Sequence, residues 1–338
     1  MSIAMVADGA IAPPSVAVCN RPRLKIVIVN YRTPLLVNEC VDSLKAYSAR
    51  GATTTIVVVD NGSGDGSPTL IRAAHPDITL IDAGGNLGFA KANNLVLREL
   101  DADYALLINS DTRVELGTLD RMVEALQADP AIGVVGPRLV NMGDGEDQDY
   151  PTQFPTIGEM LRRVIRGPRF PASGQDRPLE VERVHGACMM TRAAVLIGVG
   201  LLDEGFFIYD EDADWCIRVH RAGWRLQLLP DIRVRHHGGQ STGNRPNGQR
   251  VERVLPSETS LRMRYELRHS RYRLYRKHRN SIETALLKLF TDAFLVIDSI
   301  AWLARGVISA KCRPAATAVM RCNLRIIRLN PFGLKITQ

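Results

Sequence analysis

The sequence predicts an α/β fold: a mostly parallel central sheet with helices on both faces, followed by a helical C-terminal segment. Three observations predict it. Short apolar, β-branched runs at 24–29, 55–59 and 104–108 alternate with stretches of helical spacing. Those runs are apolar at successive positions, as in strands buried on both faces. Past about residue 245 the alternation gives way to long helical patterns. With 338 residues, 45% hydrophobic and 23% charged, the chain can bury a large core and is too apolar for a disordered one.

Residues 1–22 contain Pro13-Pro14, carry Asp8, and have no basic residue before Arg21. That pattern does not fit a secretory signal and predicts a flexible leader. The main α/β domain is expected over 23–245. After the first strand come a helix at 33–48, a strand at 55–59, a helix at 68–74 and a short strand at 78–81. A helix from 89 to about 100, a strand at 104–108, a helix at 116–128 and a strand at 132–135 complete the regular part. The strand ends carry Asn30-Tyr31, Asp60 and Asn109-Ser110-Asp111, where parallel sheets bind ligands. An acidic, proline-rich stretch with one helix near 157–165 follows, then a strand at 184–191 and an acidic, aromatic segment over 201–229. Residues 232–234 lead into His236-His237-Gly238-Gly239.

Six cysteines at 19, 40, 188, 216, 312 and 322 form no CxxC pair, which excludes a zinc ribbon and predicts reduced thiols in a cytoplasmic setting. The net charge of +7 is concentrated. Residues 262–280 hold eight Lys/Arg and one Glu, so the rest of the chain sums to zero. Such a patch suits phosphate on a nucleic acid or on an anionic membrane. Residues 282–308 are richly apolar, but Lys288, Asp292, Asp298 and Arg305 interrupt them, too often for a spanning helix. On a helical wheel those four, with Thr291 and Ser299, occupy roughly one third of the circumference. An amphipathic helix beside a basic one predicts a membrane-surface element over 246–338; the alternative is a helix packed back on the core.

Four acids, Asp210, Glu211, Asp212 and Asp214, lie within five positions. Full ionisation there is self-repelling, so at least one pKa should rise, which suits a general base. The same acids also suit a helix start, with Arg218 pairing Asp214 one turn later. Asp60, beside a Gly/Ser-rich turn, can read a nucleobase or organise an Asx turn. Gly62, Gly64 and Gly66 follow the second strand rather than the first, which is weak evidence for a dinucleotide.

Seven motifs follow one another over about 24–242. The first four are Ile26-Val27-Ile28-Val29-Asn30-Tyr31, Val58-Val59-Asp60-Asn61-Gly62-Ser63, Asn86-Leu87-Gly88-Phe89-Ala90 and Leu107-Ile108-Asn109-Ser110-Asp111-Thr112. The last three are Leu202-Asp203-Glu204-Gly205-Phe206-Phe207, Asp210-Glu211-Asp212-Ala213-Asp214 and His236-His237-Gly238-Gly239-Gln240-Ser241. Together they resemble family 2 glycosyltransferases of the GT-A fold, a Rossmann-like architecture, and the last three are similar to the rhamnosyltransferase-like branch. The resemblance implies a nucleotide-sugar donor held by Asn30, Tyr31, Asp60, Asn86, Gly88, Lys91, Asn109 and Asp111. It implies Mg²⁺ or Mn²⁺ on Asp111 and His236, with Asn109 replacing the first acid of the DXD motif; hard oxygen and imidazole ligands suit these ions. Asp212 corresponds to the base of an inverting transfer. His185, Gly186, Asp203, Glu204 and Glu211 are expected on the acceptor side. The absence of QxxRW resembles members that add one sugar. The implied donor is dTDP-L-rhamnose, ahead of galactofuranose or hexose donors. The implied acceptor is a lipid-linked or cell-envelope glycan at the inner face of a bacterial membrane, with no nucleic-acid partner. Competing readings are a nucleotidyltransferase or dehydrogenase, a silent nucleotide-sugar-binding protein, and nucleic-acid binding through 262–279.

Overall fold

The computed structural model describes residues 21–167, 174, 176–238 and 255–336. The expected leader lies outside these apart from its last two residues. So do the domain boundary at 245 and the Gly239-Gln240-Ser241 end of the last motif.

The regular part forms β1 (Arg23–Asn30), α1 (Pro34–Ala46), β2 (Thr53–Asp60), α2 (Ser67–Ala74), β3 (Thr79–Asp82) and α3 (Phe89–Leu97). It continues with β4 (Tyr104–Asn109), β5 (Thr112–Val114), α4 (Thr118–Ala128) and β6 (Ile132–Asn141). Then come α5 (Ile157–Arg166), β7 (Leu179–Glu180), β8 (Cys188–Arg192), α6 (Ala193–Val199), α7 (Glu211–Arg221) and β9 (Arg225–His236). Three helices close the described chain: α8 (Glu258–His278), α9 (Ser281–Ile308) and α10 (Arg313–Ile327).

One sheet runs in the order β3-β2-β1-β4-β8-β6-β9-β5, with β7 on β9. Strands β3, β2, β1 and β4 are mutually parallel. β8 runs against both β4 and β6, β9 is parallel to β6, and β5 and β7 run against β9. The mostly parallel arrangement read from the sequence therefore holds for one half of the sheet, and the other half is mixed. The reversal matters for the site. Because β8 starts where β4 ends, with Ile108 opposite Cys188, it delivers its leading loop to the same edge as Asn109-Ser110-Asp111.

The sheet is buried on both faces, as the apolar runs require. Ile26 and Ile28 pack with Val41 and Leu44 of α1 and Met122 of α4; Val27 on the opposite face packs with Val96 of α3 and Trp215 of α7. Each such side chain contributes about 1.5–3 kcal/mol on burial. The strand expected at 184–191 is shorter, because 184–187 peel away as the loop that α7 holds.

The basic patch is not a free surface. Arg271 of α8 grips both oxygens of Asp210 at 2.6 and 3.0 Å. Arg273 and Lys277 bind Asp203 at 3.1 and 2.8 Å, while Lys277 and His278 bind Asp214 at 2.9 and 2.7 Å. Arg218 reaches Asp214 as its spacing suggests, at 2.9 Å. Burial alone would raise the Asp214 carboxyl, but the His278 hydrogen bond with Arg218 and Lys277 brings it down to about 2. Much of the cation excess thus neutralises the acidic cluster of the same chain and straps α8 to α7. Charge counting along the sequence could not see this, because the two groups lie over fifty residues apart.

Helix α9 opens on a capping box, Asn280 with Glu283, and runs to Ile308. Its polar stripe faces inward. Asp298 accepts from Arg264 and Asn323 at 2.8 and 3.0 Å, Ser299 accepts from Asn323 at 2.9 Å, and Lys288 donates to the Ile327 carbonyl at 2.8 Å. The apolar stripe faces outward: Leu289, Phe294, Ile297, Ile300 and Val307 are all exposed. This orientation reverses that of a helix seated on a core. None of the described helices is long and apolar enough to cross a membrane.

Candidate active site

A cavity of about 1140 Å³ opens at the carboxyl edge of the sheet and is roofed by α8 and α10. Its floor begins at the end of β1. The Asn30 amide donates to Asp60 at 2.6 Å and to Ser63 at 3.0 Å, while the Ser63 hydroxyl and backbone N–H donate to Asp60 at 2.6 and 3.1 Å. Both residues are fully buried and do not line the cavity. Asp60 is placed as the organiser of an Asx turn, with Asn61 beside it on the cavity wall. Tyr31 lines the cavity under the stacked Arg32 guanidinium.

The next loop is locked by backbone proximity. Asn61 accepts from Leu87 N at 2.8 Å and donates to Asn86 at 3.2 Å. Gly62, at φ +71°, lies so close to Gly85 that a β-carbon would come within 2.4 Å of its carbonyl carbon. At Gly88, φ +85°, a β-carbon would strike the Phe207 carbonyl oxygen at 2.3 Å. Only glycine fits either place. Asn86 and Gly88 therefore line the cavity, whereas Lys91, one position past Ala90 on α3, is exposed outside it.

At the end of β4, Asn109 and Asp111 meet His236, which β9 brings to the same edge by pairing with β5 at Thr112. Asp111 Oδ1 and His236 Nε2 lie 3.4 Å apart, and the Asn109 amide is 3.4 Å from the same nitrogen. Gln148 fixes the tautomer. Its amide nitrogen donates to the His236 carbonyl at 2.7 Å, so its oxygen, 2.8 Å from Nδ1, accepts a proton from that nitrogen. Nε2 is then an acceptor facing a carboxylate oxygen. An imidazole lone pair and a buried carboxylate at this spacing, with the ring's other nitrogen pinned by an amide, fit a divalent cation. No group of three or more His, Cys, Asp or Glu that could hold a metal ion converges among the described residues.

The opposite wall carries the acids. Tyr209 and Asp210 sit at φ +69° and +61°, a strained pair that turns the chain into α7 and aims Glu211 and Asp212 at the cavity. The Arg271 clamp on Asp210 holds that turn. Asp212 is tightly held: Arg183 Nη2 and Ala213 N donate to Oδ1, each at 2.7 Å, and Gly186 N donates to Oδ2 at 2.9 Å. Burial opposes ionisation of Asp212, yet Arg183 and its neighbours keep its pKa low. The raised pKa expected of this cluster falls instead on Glu211, which burial and the adjoining Asp212 charge push up. Its Oε2 is buried with no hydrogen-bond partner. His185 joins the two walls. Its ring lies 6.2 Å from that of His236, and its Nδ1 accepts from Ala187 N at 3.0 Å. Burial drives its pKa down to about 4, so it stays neutral with Nε2–H free to donate.

Asp203 and Glu204 are not brought to the cavity. Asp203 is bound by Arg273 and Lys277, and Glu204 accepts from Asn94 and Arg98. Gln148, Arg183 and the α10 arginines of the roof escaped sequence reading, and the α8 arginines were read only as part of the basic patch. They lie in aperiodic stretches or far along the chain, and no motif marks them.

Residues 25–198 match the family Glycosyl transferase family 2. The chain is 30% identical over 244 residues, 66% of its length and 78% of the relative's, to the N-acetylglucosaminyl-diphospho-decaprenol L-rhamnosyltransferase of Mycobacterium tuberculosis. It is 31% identical over 203 residues, 59% of its length and 62% of the relative's, to the low-salt glycan biosynthesis hexosyltransferase Agl10 of Haloferax volcanii. Among solved structures, a mannosyltransferase from Pyrobaculum calidifontis in complex with GDP-Man and Mn²⁺ aligns over 93% of this chain and 88% of its own. Its TM-score is 0.53 at 19% identity. GalNAc-T7 with UDP, GalNAc and Mn²⁺ aligns over 76% of this chain and 50% of its own, with TM-score 0.51 at 15% identity. Those two likenesses support the GT-A fold. The family match and the relatives lead to one conclusion: this chain belongs to glycosyl transferase family 2 and is a glycosyltransferase.

Proposed function

We propose that the chain transfers one sugar from a nucleotide-sugar, with dTDP-L-rhamnose the favoured donor, to a lipid-linked glycan acceptor with inversion at the anomeric carbon. The observation that carries this reading is that the Asp111–His236 pair and the Glu211–Asp212 pair face one cavity, linked by His185. The rhamnosyltransferase relative favours the donor and the class of acceptor. Asp111 and His236 would hold Mg²⁺ or Mn²⁺, with Gln148 keeping His236 Nε2 available. When bound, the cation supplies charge neutralisation for the departing diphosphate. Tyr31, Asn61, Asn86, Gly88 and Asn109 line the donor side; Asp60 acts from behind by setting the turn that carries Asn61. Lys91 has no part in this reading.

On the acceptor side, Asp212 takes the proton of the attacking hydroxyl as the new C1–O bond forms and the C1–O bond to the diphosphate breaks. The transition state resembles an oxocarbenium ion. Arg183, Gly186 N and Ala213 N orient the carboxylate throughout. The unpartnered Oε2 and raised pKa of Glu211 favour a second reading, in which Glu211 receives the proton and the fixed Asp212 charge raises its basicity. A panel of nucleotide-sugars with Mg²⁺ or Mn²⁺ tests the reaction. Release of nucleoside diphosphate should be highest with dTDP-L-rhamnose and abolished by chelation; release from no donor, or without metal, would overturn the reading.

The outward apolar stripe of α9 supports attachment to the cytoplasmic membrane face. Ile297→Asp with Ile300→Asp should abolish flotation with anionic liposomes while leaving donor hydrolysis intact. Flotation equal to the unmodified chain's would count against attachment through this helix.

A further inference from the structure

Three guanidinium groups at the exposed rim of the cavity have no carboxylate partner among the described residues. They are Arg262 on α8 and Arg321 and Arg325 on α10. This contrasts with Arg271, Arg273 and Lys277, whose charges are spent on Asp210, Asp203 and Asp214. Arg325 stacks on Tyr265 with its guanidinium 4.1 Å from the ring centroid, and Arg262 stacks on Phe207 at 5.2 Å. Stacking fixes the plane of a guanidinium and leaves its N–H edge free, a geometry suited to phosphate oxygens. Half-buried Arg268 shows the local excess of positive charge. Burial lowers its pKa, and Arg264 and Arg271 lower it further.

The apolar surface begins beside these cations. Met320 and Leu324 are exposed one residue before Arg321 and Arg325, so an apolar row and a cationic row run side by side along α10. α10 packs on α9, whose apolar stripe also faces outward. We propose that Arg262, Arg321 and Arg325 form the subsite for the phosphate groups of the lipid-linked acceptor, with its hydrocarbon lying along the apolar rows of α9 and α10. This rests on the glycosyltransferase reading and deepens it: the acceptor's sugar would reach Asp212 while its phosphates stay at the rim. The donor's diphosphate belongs on the opposite side, at Asp111 and His236.

Farnesyl diphosphate, inorganic pyrophosphate and farnesol serve as probes, titrated calorimetrically into the full chain in EDTA so that the metal pair attracts no phosphate. Farnesyl diphosphate should bind more tightly than either fragment. Arg321→Gln with Arg325→Gln should weaken it roughly 10- to 100-fold while leaving farnesol unchanged. The Michaelis constant for the nucleotide-sugar, measured as metal-dependent hydrolysis without acceptor, should stay within about twofold. Unchanged farnesyl diphosphate binding in the double variant would overturn the subsite. So would a donor Michaelis constant that rose in step, because the arginines would then belong to the donor. Equal losses for farnesol and farnesyl diphosphate would do the same, since the arginines would not be reading phosphate. Arginine-dependent binding in a chain that hydrolyses no nucleotide-sugar would defeat the glycosyltransferase reading and leave the subsite standing.

Discussion

Asp111→Asn is expected to lower donor turnover by about 10³-fold or more, the equivalent of roughly 4 kcal/mol of transition-state stabilisation. Asp111 is the one carboxylate of the proposed metal pair, and its side chain is buried against His236. An amide in its place keeps the shape and removes the charge that draws a cation between carboxylate and imidazole. The measurement is nucleoside diphosphate release against Mn²⁺ concentration, with a thermal melt as the folding control. Gln148→Ala probes the same site at one remove. It frees the His236 ring and should raise the Mn²⁺ concentration for half activation about 10- to 100-fold, while maximal turnover falls less. Full activity of Asp111→Asn at ordinary Mn²⁺ would place the metal elsewhere.

Asp212→Asn should cost about 10²- to 10⁴-fold in transfer, the range of a lost general base, with donor affinity little changed. The pH profile then separates the two readings of the acid pair. A base with a lowered pKa is ionised throughout the neutral range, so with Asp212 as base, kcat/KM stays flat until acid pH. A base with a raised pKa must lose its proton first, so with Glu211 in that role, kcat/KM climbs with pH well above the ordinary carboxylate range. Glu211→Gln should remove such a climbing limb and most activity together. If instead it preserves activity, Asp212 is the base. Loss of neither activity nor limb in either variant would exclude the pair from proton transfer.

These expectations rest on local chemistry that was readable to different depths. The parallel half of the sheet was legible because each strand there is apolar on both faces and each crossover helix has its own period. The apolar runs therefore assign the ends of β1, β2 and β4 to one edge. The acidic run at 210–214 could be read as mutually repelling, but not which acid would give way. Arg183 and the backbone of Gly186 settle that by spending their donors on Asp212, leaving Glu211 to bear the burial cost. Asp60 looked like a ligand group and is enclosed by Asn30 and Ser63, thirty and three residues away. Asp203 and Glu204 sit in a family motif, yet cations on α8 and at the C-terminal end of α3 claim them. The 262–280 patch shows the same limit on a larger scale, since a local sum of charges omits the distant carboxylates that pair with part of it.

The sequence by itself determined the α/β class, the family, and the residue types that can hold a metal and move a proton, because period, turn chemistry and motif spacing are local properties of the chain. The tertiary structure alone decided which of those residues meet. The reversal of β8 carries His185 to the edge that holds Asp111 and His236, Gln148 selects the His236 tautomer, and α8 braces the strained turn before Glu211. It also decided that α9 turns its apolar stripe outward. Burial and hydrogen bonding are set by neighbours in space, and those neighbours come from segments that share no pattern along the sequence.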